Sequence, residues 1–403
     1  MIRTLSALST LGAVAWASIA IAQPVDDDTA ALRRAAEAAA ETADPVATVA
    51  PDDSATPQPV ALNRYNPEIS ASVDMLGQYR VQDPHVDADS RSGLTFRELE
   101  VDIRSALDPF SQFRAQLSAG AEGVGVEEAY VLWVGLAPHL SLTVGRMRQS
   151  LSPLNRWHTH ALDQADQPLA VRAMIGDEGL LQTGLRTEVL LSSVGRVTHT
   201  LDLEVTNSEN EALFAGADYA RPATLIRLGT NVPTGEAGYA ELGLGALHGY
   251  ADVALGATED SPAVTEGARP TDLVWVDLTW GYDPPGGADR FRLFARGQGL
   301  YLDRDLGDRH SKRLGGYGYL NAHLTARWEI GLRGDWLSGE AESVKDAVDE
   351  QTVEITPYLT FWQSEFVRLR LQYRRQMPDA GDASDLVVVQ LSGAVGPHSH
   401  DKY

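Results

Sequence analysis

Side chains suited to chemistry are concentrated in residues 149–182, QSLSPLNRWHTHALDQADQPLAVRAMIGDEGLLQ. His158 and His160 offer imidazole nitrogens, and Asp163 follows closely with a carboxylate. These are the ligand types that hold Zn²⁺ in proteins, so the three residues form a candidate metal site. The alternative is that both histidines hydrogen-bond the segment to the rest of the fold.

The same segment is a candidate pore constriction, because charged side chains at a narrow point sort permeating ions. The residues predicted to form the constriction are Asn155, Arg156, His158, His160, Asp163, Asp166 and Arg172. Salt bridges that anchor the segment are the alternative role for the charged members. No nucleophile elbow, phosphate-binding loop, HExxH helix or dinucleotide fingerprint occurs in the sequence. We therefore expect neither an enzyme nor a cofactor.

The elements that position this segment are strands, since a period of two begins near Tyr65 and continues almost to the end. In LTFRELEVDIRSAL, apolar Leu99, Val101 and Ile103 alternate with charged neighbours, and FVRLRLQYRR repeats the pattern. A β-sandwich would bury the apolar face. A membrane barrel would turn it to lipid and the charged face to a lumen.

Connection lengths separate these two architectures. Short turns alternate with long or polar connections, among them 120–125, 149–182 and 251–271. The sequence therefore predicts an all-β fold, a transmembrane antiparallel barrel of about sixteen strands, the even number typical of single-chain outer-membrane barrels. Residues 149–182 become a long third external loop that folds inward, and both termini are periplasmic.

Charged residues on the inward face of such a barrel would line the pore. The predicted wall residues are Glu98, Glu100, Asp102, Arg292, Arg296, Arg368 and Arg370. We expect the acidic early strands and the basic late strands to oppose each other across the lumen, with mutual pairing as the alternative. Tryptophans such as Trp275, Trp328 and Trp336 are candidates for aromatic girdles at the membrane interfaces.

The two ends of the barrel region and the composition define the organisation. Residues 1–22 have a basic start, a short apolar run and small residues before a cleavage site, as in a secretory signal peptide. Residues 23–62 are a flexible periplasmic linker with one short helix at most, and residues 63–403 form the barrel. A formal charge of -23 argues against nucleic-acid binding, and the absence of cysteine excludes disulfides.

Several runs carry a family resemblance. They are NPEISASVDMLGQYR, FRELEVDI, VEEAYVLW, LTVGRMRQSLSPLNRWHTHAL, WEIGLRGDW and GPHSHDKY. They resemble a Gram-negative outer-membrane porin-like family that is related to the phosphate-selective porins and includes members described as zinc-regulated receptors. The resemblance implies an outer-membrane barrel in contact with lipid and lipopolysaccharide, and it leaves a homotrimer open. Phosphate-selective porins line their pores with lysines, which are scarce here.

The predicted function is a porin-like channel for passive or weakly selective passage of ions or small solutes. One alternative is an outer-membrane protein that binds or takes up zinc through His158 and His160. Another is a structural or adhesive surface barrel, which predicts a closed lumen.

Overall fold

The computed structural model of the protein describes residues 67–81, 92–121, 123–214, 221–255, 264–285, 291–305, 310–340 and 349–396. The predicted signal peptide and linker lie outside the described residues, as does the histidine-containing end of the chain. None of the helices in these ranges has the length and apolar composition of a membrane-spanning helix.

Strands dominate the described ranges, and they join into one closed antiparallel barrel. They are β1 (Glu68–Val81), β2 (Gly93–Asp108), β3 (Ser111–Gly120), β4 (Gly123–Ala137), β5 (Leu140–Arg148), β6 (Leu181–Val194), β7 (Val197–Thr206), β8 (Ala223–Pro233), β9 (Gly238–Leu255), β10 (Val264–Tyr282), β11 (Arg292–Asp305), β12 (His310–His323), β13 (Trp328–Glu340), β14 (Asp349–Trp362), β15 (Val367–Pro378) and β16 (Ser384–Val395). The predicted class and the strand number of sixteen are confirmed.

The barrel closes between the first and the last strand. β1 pairs with β16 from Ala71 opposite Val395 to Val81 opposite Asp385, and each strand otherwise pairs with its neighbours in the chain. Closure gives every strand two hydrogen-bonded neighbours, which a sheet needs in lipid because no water satisfies a free edge there.

Two connections differ from the sequence-based expectation. The β3–β4 connection is a tight turn after Gly120 and not a long loop, because the strands pair up to Gly120 opposite Gly123. The predicted connection 251–271 is largely strand: β9 continues to Leu255 and β10 begins at Val264. The predicted strand ends were wrong because polar residues were assigned to the connection, whereas paired strands can extend beyond the lipid.

The two faces of the strands have opposite chemistry, and the apolar face is outside. On β15, Leu369 and Leu371 are exposed, whereas Arg368, Arg370 and Gln372 are buried. On strands such as β10 the exposed large apolar residues recur at every second position, as at Val274, Val276 and Leu278. This arrangement is that of a lipid-facing barrel with a polar interior, and a sandwich would show the reverse.

The aromatic residues divide between the two faces. Trp328 and Trp336 belong to the exposed outer surface, at 44% and 36% exposure, as girdle residues would. Trp275 does not fit the girdle prediction, because it is 1% exposed and lies inside the barrel. Its place in the alternation of β10 is the inward one, between exposed Val274 and Val276.

Candidate functional site

The β5–β6 loop, residues 149–180, contains short helical turns joined by extended chain. Two 3-10 turns, Pro153–Arg156 and Thr159–Ala161, precede the helix α1 (Leu169–Met174). The Ser152 hydroxyl accepts a hydrogen bond from the Asn155 amide and so caps the first turn. Most side chains in the loop are buried, which no solvent-exposed connection of this length would show.

Asn155 ties the two ends of the loop together. Its amide group donates to the carbonyls of Gln149 and Leu180, at 2.8 and 2.9 Å, and its oxygen accepts from the Leu180 amide at 2.8 Å. Gly179 has φ +72°, and a Cβ there would lie 2.4 Å from the Asn155 oxygen. The loop therefore leaves and returns to the wall through one hydrogen-bonded base, and Asn155 itself is buried.

One side of the loop is apolar and packs against the inward faces of β8–β12. The loop contributes Leu151, Leu154, Leu162, Ala170, Val171, Met174, Ile175 and Leu180. The wall contributes Leu225, Leu247, Leu273, Trp275, Leu300, Leu302, Tyr317 and Tyr319. These inward apolar residues interrupt the polar lining, so their part of the wall is a docking surface for the loop.

The other side of the loop is held by ions. Asp166 accepts from Arg333 at 3.2 Å and from Gln372 at 3.0 Å, and it also pairs with Arg374. Arg172 pairs with Glu354 at 2.8 Å. Burial alone would raise the pKa of the Asp166 carboxyl, but the surrounding arginines hold it well below its usual range.

The backbone of the loop is also fastened to the late strands. Arg370 donates to the Leu162 carbonyl at 2.9 Å, and Arg368 donates to the His160 carbonyl. The Leu169 amide, at the start of α1, donates to Asp335 at 2.9 Å. An anion at a helix start is favourable because the first amides there have no partner within the helix.

Asp163 lies apart from the histidines. Its carboxylate accepts from the Tyr319 hydroxyl at 2.9 Å and pairs with Arg296 at 3.3 Å. The Arg296 guanidinium in turn stacks 4.1 Å from the Trp157 ring centre. The structure thus does not unite the predicted metal set of His158, His160 and Asp163, because Asp163 faces β11 and β12 instead.

The two histidines face carboxylates of β2 and β4. His158 Nδ1 is 2.8 Å from Glu127, and its Nε2 is 3.3 Å from Glu128. His160 Nδ1 is 3.3 Å from Glu100 and 3.5 Å from Glu98. Burial would lower the pKa of His160, but these two carboxylates outweigh it and raise that pKa to about 9.

Arg156 is the member of the predicted constriction set that is exposed. It interacts electrostatically with Asp202 of β7 and Asp277 of β10. Arg172 and Asp166 keep partial exposure beside the late strands. Other inward residues with partial exposure are Arg114, Tyr130, Arg186, Glu188 and Glu241. Part of the interior wall on β3–β6 and β9 is therefore accessible to solvent.

The predicted wall residues have two environments. Glu100, Asp102, Arg296, Arg368 and Arg370 are buried, and Glu98 and Arg292 are half-buried. Their acidic and basic strands are not opposed throughout, because the closed ring separates β15 from β2 only by β16 and β1. The loop residues from His160 to Asp166 contact side chains from both sides of that closure.

Sequence reasoning missed Glu127, Glu128 and Glu354 as contacts of the loop. A signal existed for the first two, since adjacent glutamates in VEEAYVLW break the alternation of a strand. The pairing of β3 with β4 shifts register between Gln116 and Leu117, which is where this bulge lies. The bulge allows both Glu127 and Glu128 to contact His158.

A closed barrel of sixteen strands with an apolar exterior and a charged interior is the architecture of outer-membrane β-barrels. Solved structures share this fold. The chain is similar to the loop L8 deletion mutant of OmpT, an outer membrane protein of Vibrio cholerae, with TM-score 0.57 and 8% identity over 82% of this chain and 100% of that one. The chain is also similar to an anion-selective porin from Comamonas acidovorans, with TM-score 0.56 and 15% identity over 82% of this chain and 99% of that one.

Comparisons of sequence add less information about function than the solved structures add about the fold. An uncharacterized protein of Aquifex aeolicus is 25% identical over 341 residues, which is 78% of this chain and 71% of that protein. No family model matches the chain. The resemblance to outer-membrane porin-like barrels is therefore confirmed at the level of the fold, and its phosphate-selective and zinc-regulated branches gain no support.

Proposed function

We propose that this protein is an outer-membrane channel for passive or weakly selective passage of ions or small solutes. The observation that carries the proposal is the polarity of the closed barrel. Charged side chains point inward, apolar ones point outward, and part of the inward set keeps contact with solvent. A solvated, charged interior is what a water-filled pore requires.

The narrow point of the channel would be formed by the β5–β6 loop and the wall facing Arg156. That wall carries Asp202 and Asp277, and Arg227 lies between them, pairing with Asp277 at 2.8 Å. An exposed cation opposite carboxylates creates a transverse field that orients polar solutes. Both signs of charge are present, which favours weak over strict ion selectivity.

The apolar outward face of the barrel supports a location in the outer membrane. Exposed leucines, valines and isoleucines around the ring fit outer-membrane lipid and lipopolysaccharide. We propose that both termini lie in the periplasm. A homotrimer is part of the proposal, since OmpT of Vibrio cholerae occurs in a trimer form. Similarity to structures named as porins and channels also favours a role without catalysis.

Planar-bilayer conductance of the purified, folded barrel tests the proposal. We expect stepwise ion currents, and reversal potentials in a salt gradient that shift toward cations when Arg156 is replaced by Glu. Arg375→Glu is the matched control, because this arginine is exposed and pairs with Asp385 on the strand surface. A folded barrel that passes neither ions nor small solutes would refute the channel and favour the structural barrel.

A further inference from the structure

Glu100 is a deeply buried carboxylate whose surroundings call for a cation. It is 1% exposed, and neither of its oxygens accepts a hydrogen bond from any residue within the described ranges. The nearest ring nitrogens are Nδ1 of His158 and Nδ1 of His160, each 3.3 Å from the same carboxylate oxygen. Burying a carboxylate is costly unless a positive charge is present, and here either protonated His160 or a bound cation supplies that charge.

His160 has the arrangement of a metal-binding histidine. Its Nε2 lies 3.5 Å from the Ser72 hydroxyl, which leaves Nδ1 directed at Glu100 and Glu98. A hydrogen bond at one ring nitrogen commonly fixes the other toward a metal. Bonds of 2.0–2.2 Å would place neighbouring tetrahedral ligands about 3.3–3.6 Å apart. The observed separations of 3.3 and 3.5 Å match this spacing.

A second group of possible metal ligands also includes Glu100, but it is less suitable for binding a metal ion. Glu100, Glu127 and His158 also bring their donor atoms within 4.8 Å of one another. Arg148, however, already neutralises Glu127 at 2.9 Å. His158 contacts Glu127 through one nitrogen and Glu128 through the other. Within the described residues neither Glu98 nor Glu100 pairs with an arginine, so these two carboxylates attract a cation more strongly.

We propose that a divalent transition-metal ion binds between Glu98, Glu100 and His160 and fastens the β5–β6 loop to β2. The ligand set of one imidazole and two carboxylates suits Zn²⁺ and related ions, and a fourth position stays available for water. Arg368 holds the His160 carbonyl from β15. The ion would therefore fix the loop at the place where the first and last strands meet, whether or not the barrel conducts.

Isothermal titration of Zn²⁺ into the folded full-length chain, stripped of metal, tests the site. The background carries His398→Ala and His400→Ala, which removes the imidazoles near the end of the chain. We expect one equivalent to bind, and affinity to fall at least about a hundredfold in Glu100→Gln and His160→Gln, since both are direct ligands. Glu127→Gln is the matched control and keeps wild-type affinity.

X-ray absorption at the zinc edge gives an independent readout, with one imidazole nitrogen and carboxylate oxygens expected at about 2.0–2.2 Å. Absence of saturable binding overturns the proposal, because protonated histidines alone then balance the carboxylates. Unchanged binding in both Glu98→Gln and Glu100→Gln also overturns it. So does binding that is lost in Glu127→Gln but kept in Glu98→Gln.

Each variant must keep the heat-modifiable gel mobility of a folded barrel. Should Glu100→Gln not fold, the half-buried Glu98 provides the deciding variant.

Discussion

Asp166 is the residue whose loss would most directly loosen the β5–β6 loop. Its carboxylate, which precedes α1 in the loop, forms ion pairs with Arg333 of β13 and Arg374 of β15. Asp166→Ala removes the carboxylate that the loop contributes, and among the described residues it leaves Arg374 with Glu354, 3.8 Å away. Arg333 keeps Asp335 and Glu354, each within 2.8 Å. The strands should therefore stay intact while the loop loses its anchor.

The size of the effect follows from the burial of the pair. Breaking a buried ion pair costs about 3–5 kcal/mol, and the 21% exposure of the Asp166 side chain points to the lower end. About 3 kcal/mol corresponds to a change of roughly a hundredfold in the equilibrium between docked and undocked loop. A loop that is rarely undocked in the wild type would then undock often enough to appear in single-channel records.

Single-channel recording of wild type and Asp166→Ala is the appropriate measurement. We expect brief current fluctuations to become roughly a hundredfold more frequent or longer-lived, with unchanged heat-modifiable mobility. Asp385→Ala is the control, because that aspartate pairs with Arg375 at the surface and does not contact the loop. Equal fluctuations in wild type and Asp166→Ala would show that the ion pairs do not hold the loop.

Acidification should act on the same anchor, with a defined sign. The pKa of Asp166 is lowered in the folded chain, so its contribution is complete above the ordinary value of 3.8 and is lost as the pH falls through the folded value. In the metal-free chain, loop noise at pH 4 should therefore resemble that at pH 7. Noise of the metal-free chain that already rises between pH 7 and pH 5 would contradict this assignment.

Further predictions concern the packing, the loop base and the outer surface. Trp275→Ala should undock the loop by removing about 3–5 kcal/mol of buried packing, detected as new protease cleavage within residues 149–180 of a barrel that remains folded. Asn155→Ala should give the same cleavage pattern, because three hydrogen bonds at the loop base are lost. Leu371→Arg places a charge on the lipid face, and lower folding yield into bilayers should reflect a cost of about 2–4 kcal/mol. Leu371→Phe is the control for the last variant, and normal yield of Leu371→Arg would argue against a lipid-facing position.

The barrel was predictable because its signal is local and repeated. Alternation within single strands, as in FVRLRLQYRR, reports which face is apolar, and closure into a ring follows because a sheet in lipid leaves no edge unpaired. Trp275 shows where this reasoning weakens. Its inward position is correct by alternation, but nothing local distinguishes a docking surface for a loop from an aromatic girdle.

The partners within the site were less predictable, for a physical reason. In an irregular segment, closeness in sequence does not fix the direction of a side chain. His160 and Asp163 are three positions apart, yet one faces β2 and the other faces β11 and β12. Which carboxylates meet the histidines depends on how the loop lies in the closed ring, and residues 30 to 62 positions earlier in the chain supply them.

The hydrogen bonds between the loop and β15 also constrain the order of assembly. Arg368 and Arg370 reach loop carbonyls across 208 positions of sequence. These bonds cannot form until the last strands have been placed, and contacts between such distant residues form late because long chain segments must first be ordered. Complete docking of the loop therefore requires the last strands to be in place, so a barrel with misplaced final strands would lack the bonds that hold the loop to β15.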